Sequence, residues 1–165
     1  MHADPAPLSE ASADATVSET CLPHAAPTLL RLGLTRVLAD PGQFGARFYA
    51  RLFELLPEAR ALFPAALEPQ QQKLVQALTL LVRSLDRGEE VAPLLRQLGQ
   101  RHRQYGAEAA HYAVVGQALI DTLDACGDQP LRADVRSAWT RLYGWVAANM
   151  LEGSATTSPE PQPLR

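Results

Sequence analysis

The chain has 165 residues, 47% of them hydrophobic, which is enough for one domain with a single core. Its 15 Lys and Arg are interspersed among 18 Asp and Glu, for a net charge of −3, so nothing in the charge favours nucleic acid or an anionic membrane as a partner. No apolar run approaches the roughly 20 residues that a membrane-spanning helix needs.

Residues 1–24 are mostly Ala, Ser, Pro and acidic side chains without a period that would bury a face, and they are expected to be a disordered acidic tail. The first 20 residues hold Asp4, Glu10, Asp14 and Glu19 but no Lys or Arg, so the charged start and apolar stretch of a secretory signal are missing. Cys21 and Cys126 are too few and too far apart for a disulfide framework. Together these features predict a cytoplasmic protein.

From 25 to 152 every segment has helical period, and no strand alternation is present. The first helix is predicted over 27–39, with Leu30, Leu34, Val37 and Leu38 inward. Asp40 caps a second helix that opens at Pro41; its stripe is Phe44, Phe48, Tyr49, Leu52, Phe53 and Leu56. A short turn starts at Pro57 and ends near Phe63-Pro64. Glu68-Pro69 opens a helix running to about 87, where Gly88 stops it. The next spans about 89–105 and closes at Gly106. The last two are predicted over 108–125 and 131–151, and 153–165 reads as a disordered Pro-rich tail.

Two polar residues interrupt apolar faces. His102 follows Leu94, Leu95 and Leu98 on one stripe, and Gln70 heads another made of Leu74, Ala77, Leu78, Leu81 and Leu85. A histidine and a glutamine so placed could hold one iron between them, since neutral imidazole is a standard haem ligand. A lone histidine on an apolar face is more often a hydrogen-bonded core residue, and a first-turn glutamine more often points to water. Both readings stay open on periodicity alone. Tyr49 needs a hydrogen-bond partner once buried, usually a backbone carbonyl and sometimes a ligand. Lys73 could be a surface lysine or could meet a cofactor carboxylate. His111 precedes Tyr112, whose stripe continues through Val115 and Leu119, so His111 is expected to point off it into solvent. No G-x-S-x-G, phosphate-binding glycine loop or H-E-x-x-H is present.

Taken together, FYARLFELLPEARALFP, QQQKLVQAL, LGQRHRQYG, HYAVVGQAL and AWTRLYGWVAANM resemble the bacterial globins, in particular the single-domain relatives of flavohaemoglobin. The resemblance runs from about Pro27 to Leu151 and implies an all-α globin fold, a helical sandwich around a haem pocket. It implies haem b as cofactor, with His102 as the proximal iron ligand and Phe63 wedged against the porphyrin. Tyr49 and Gln70 match the distal, catalytic pair, and Leu74 the apolar residue over the iron. Tyr112 matches a proximal tyrosine near the ligand histidine. Phe48 and Leu98 would line the pocket, and Lys73 falls where a propionate contact would lie.

Two departures accompany the resemblance. The family places a glutamate late in the last helix, paired with the proximal tyrosine, whereas here Ser154 falls at that position with Glu152 two residues earlier. The motifs also do not extend into a flavin- and nicotinamide-binding reductase, so any turnover would draw on an external electron donor. The implied function is high-affinity binding of dioxygen, nitric oxide and other small haem ligands by a monomer or weak homodimer, with nitric oxide dioxygenation when a reductase is available. The alternatives are a non-enzymatic oxygen or NO sensor or store, and a haem-free helical adaptor.

Overall fold

The computed structural model describes residues 27–155, and within them every regular element is helical. The two expected tails at 1–24 and beyond 155 lie outside the described residues. Helix α1 spans Pro27–Ala39 and α2 Pro41–Leu55. The Asp40 carboxylate accepts from the Gln43 backbone N–H at 2.9 Å, and Pro41 occupies the first turn, as the sequence predicts. A short 3-10 helix, Pro57–Leu62, leads into Phe63. Helix α3 covers Glu68–Arg83, α4 Gly88–Gln104, α5 Ala109–Ala125 and α6 Ala133–Ala155.

Three boundaries differ from expectation. Helix α3 stops at Arg83 rather than 87, because the Ser84 N–H bonds to both the Leu80 and Leu81 carbonyls and the chain tightens into a 3-10 turn, Leu85–Arg87. Gly88, expected to be a stop, is the first residue of α4. Helix α6 starts at Ala133 rather than 131 and continues to Ala155, so Gly153, Ser154 and Ala155 are helical rather than tail. Two inward assignments also fail: Leu38 and Leu94 are exposed. Each adjoins a buried residue (Val37, Leu95) at the 100° helical step, which turns it out of the buried stripe.

Helix α2 packs against α3 and α5, and α6 packs against α4, α1 and α5. The larger buried cluster joins α1, α2, α3, α5 and α6 around Trp139, Phe44, Leu30 and Leu123; a smaller one joins Ala92, Leu95, Tyr112, Trp145 and Met150. The contact between α4 and α6 is backbone to backbone. A methyl at Gly99 would collide with the Met150 main chain, and one at Gly153 would collide with the Arg96 main chain. These two glycines let the helices touch without side chains between them.

The α5–α6 corner is closed from the other end of the domain. The Arg36 guanidinium on α1 donates to the carbonyls of Leu123 at 3.1 Å and Gln129 at 2.8 Å, and Arg47 on α2 donates to the Ala125 carbonyl at 2.7 Å. Carbonyls left open at the end of α5 are thereby satisfied by cations, which the helix dipole favours.

Candidate functional site

A cavity of about 420 Å³ lies between the helices, within the size range of small-molecule and cofactor sites. Phe48, Tyr49, Phe63, Gln70, Lys73, Leu74, Leu98, His102 and Tyr112 all line it, so residues from four helices and one loop converge on one space. Met150 and Val146 of α6 complete part of the wall.

His102 is positioned by the way α4 ends. The Ala107 N–H bonds to the His102 carbonyl at 2.9 Å and the Gly106 N–H to the Arg103 carbonyl at 3.0 Å, a Schellman closure. It requires a left-handed residue, and Gly106 supplies it with φ +92. The imidazole Nδ1 lies 2.9 Å from the Leu98 carbonyl. A carbonyl can only accept, so Nδ1 carries a proton, and in the neutral form of the ring it is Nε2 that holds the lone pair.

On α2, Tyr49 is buried and packs edge-on against Phe48 and Phe63, with ring centroids 5.1 and 5.3 Å away. Its hydroxyl donates to the Gln70 backbone carbonyl at 3.4 Å, a long contact for an O–H···O bond. Burial pushes its pKa up to about 12, so the phenol stays neutral and remains a donor.

On α5, Tyr112 is buried and its hydroxyl has no hydrogen-bond partner; burial raises its pKa as well. Its backbone carbonyl accepts from the Tyr143 hydroxyl at 2.6 Å, and burial raises that phenol's pKa too. Glu152 pairs with Arg96 at 3.0 Å, and the Ser154 hydroxyl turns back to the Leu151 carbonyl at 2.8 Å.

His111 is the residue that sequence reasoning misplaced. It is half-buried and lines the same cavity as His102. The Glu108 backbone N–H donates to its Nδ1 at 3.1 Å, within a capping box at the start of α5. The Glu-x-x-His spacing at a helix start was the available signal, because a residue three positions after the N-cap folds back over the first turn instead of following the stripe.

A helical sandwich enclosing an apolar cavity, with one imidazole offering a lone pair inside it, defines the class. The sequence profile of the globin family (Globin) matches residues 46–150, and the chain belongs to that family. Flavohemoprotein of Bacillus thuringiensis subsp. konkukian is 33% identical over 104 residues, 61% of this chain and 25% of the relative; that of Bacillus subtilis is 30% identical over 105 residues, 61% of this chain and 26% of the relative. The chain thus spans about a quarter of the length of the curated relatives it matches. Among solved structures, an engineered carbene transferase derived from a Rhodothermus marinus protein assigned as a nitric oxide dioxygenase is 26% identical with a TM-score of 0.71, covering 81% of this chain and 94% of that one. Aplysia limacina myoglobin shares the fold at 20% identity and a TM-score of 0.71, covering 81% of this chain and 99% of that one.

The chain is accordingly a flavohaemoglobin-related, haem-binding globin. The residues present fit that cofactor: the wall is apolar, His102 offers an unprotonated nitrogen, and the buried Tyr112 hydroxyl lacks a protein partner. Among the described residues no helix is long and apolar enough to cross a membrane.

Proposed function

We propose that the cavity holds haem b, with His102 as the iron ligand, and binds dioxygen with high affinity. One observation carries this reading: in a single apolar cavity, an imidazole with Nδ1 already engaged accompanies a phenol that burial keeps protonated. Among the described residues no cysteine lines the cavity to form a thioether with a porphyrin, which supports the non-covalent form. When bound, haem supplies an iron that takes up diatomic gases and exchanges electrons with a donor.

The chain's own residues set how long a gas ligand stays. The Tyr49 hydroxyl gives up little by turning from a 3.4 Å contact towards a ligand that carries partial negative charge. The Gln70 amide is the second donor. Each such bond contributes about 1.5–3 kcal/mol in a dry site, so the pair slows escape by roughly a hundredfold or more. Phe48, Phe63, Leu74 and Leu98 keep water from competing for those donors, and Lys73 meets a haem carboxylate.

Tight retention suits nitric oxide dioxygenation better than delivery. Nitric oxide and dioxygen combine to nitrate, with one electron drawn from an external reductase. A second reading, an oxygen or NO sensor or store, is favoured by the proximal side. There the Tyr112 hydroxyl is without a hydrogen-bond partner and the His102 Nδ1–H is taken by the Leu98 carbonyl, so among the described residues no carboxylate bonds either side chain to strengthen His102 as an electron donor.

The deciding experiment loads the full chain with haemin, reduces it without air, admits oxygen and then adds nitric oxide with a reductase. A stable oxygenated spectrum with repeated NO consumption is the expected result. A single stoichiometric reaction selects the sensor or store, and immediate oxidation in air overturns the protected distal pocket.

A further inference from the structure

His102 and His111 line one cavity, yet their hydrogen bonds lock them in opposite tautomers. At His102 the neighbour is a carbonyl, so Nδ1 donates and Nε2 keeps a lone pair. At His111 the neighbour is the Glu108 backbone N–H, which can only donate. Its Nδ1 must therefore accept, and the ring proton sits on Nε2. Only His102 can offer an unprotonated nitrogen to a metal in this arrangement. His111 offers the reverse: an N–H donor, held in place by the first turn of α5, on the wall of the same cavity.

No protein acceptor bonds that Nε2–H among the described residues. Haem brings two carboxylates that need donors where they meet the protein, and Lys73 on α3 accounts for one. Of the other polar side chains in the wall, the Tyr49 hydroxyl and the His102 Nδ1–H bond to carbonyls, and Tyr143 donates to the Tyr112 carbonyl. The Tyr112 hydroxyl and the Trp139 Nε1–H are without partners but are fully buried atoms, where an ionised carboxylate would be costly to place. Gln70 is assigned to the gas ligand. We propose that His111 donates its Nε2–H to the second haem carboxylate, so that the two histidines divide the cofactor between them, one taking the metal and the other the anion. The proposal rests on the haem-binding reading of this cavity.

The test compares two pigments in the same protein, haemin and haemin dimethyl ester, whose carboxylates are esterified and uncharged. Haem loss to an excess of apomyoglobin is timed for the wild type, His111→Leu and His111→Gln. The expected result is that His111→Leu releases haemin about tenfold faster, as for loss of one hydrogen bond to a charged group. His111→Gln, which keeps an N–H, should stay within about twofold of wild type. For the dimethyl ester all three proteins should release at similar rates.

Equal acceleration for both pigments would overturn the proposal and assign His111 to supporting α5 alone. Unchanged haemin release in His111→Leu would overturn it too. A shift in the axial-ligand bands of the ferric spectrum in that variant would make His111 an iron ligand, against the tautomer argument. A wild-type chain that takes up neither pigment would instead overturn the haem reading itself.

Discussion

At the residue scale, the cavity works through which atom carries which proton. Burial lifts the Tyr49 pKa to about 12, so the neutral, hydrogen-donating phenol persists through neutral and alkaline conditions. Tyr49→Phe removes the donor while preserving the ring contacts with Phe48 and Phe63, so oxygen dissociation in stopped-flow displacement should accelerate at least tenfold, the equivalent of about 1.4 kcal/mol. The wild-type rate should show no tyrosine-linked rise below about pH 12. An acceleration of less than twofold in Tyr49→Phe would sink the donor role. His102 and Gln70 stood out in the sequence as lone polar residues on apolar stripes, but periodicity left their roles open and only the family resemblance assigned them to one pocket, whose wall both line. His111 did not stand out, because its placement comes from a cap rather than from helical period.

At the element scale, the determining contact is α4 on α6. The order and number of the long helices could be read from periodicity and from Pro and Gly punctuation. The end of α6 could not, because glycine, serine and proline in GSATTSPEP read locally as tail while Gly153 is selected by its partner helix. Leu94 shows the converse, an apolar residue that a run of leucines made look inward. Gly153→Ala would drive a methyl into the Arg96 main chain and separate the helix that carries His102 from its support. Urea unfolding should show a loss of about 1–3 kcal/mol, the usual cost of overpacking, and haem loss should quicken. Ser154→Ala, whose hydroxyl bonds only within its own turn, should change stability by less than about 0.5 kcal/mol. If the two variants behave alike, the glycine contact is not what holds α4.

At the scale of the whole molecule, residues of the large cluster and of the small one both line the cavity, and on the proposed reading a cofactor there would complete a core that side chains leave open. Ligand that binds only the folded chain stabilises it by about 4.1 kcal/mol at a thousandfold excess over Kd. For a domain of this size that corresponds to a rise in Tm on the order of 10 °C. Calorimetry with and without stoichiometric haemin measures it, and an unchanged Tm would mean that haemin binds elsewhere or not at all. Sequence composition alone shows none of this division, since the residues of both clusters are equally apolar and only their placement leaves the gap.

The two arginines at the α5–α6 corner have a consequence for how the chain is made. Arg36 reaches carbonyls more than 80 positions later, and Trp139 fills the space that Gly33 leaves open. Of the described helices, the one that leaves the ribosome first is therefore anchored to the one that leaves last. Such long-range contacts cost loop entropy before they return any stabilisation. The domain cannot settle piece by piece during translation, and closes only after α6 has emerged from the exit tunnel.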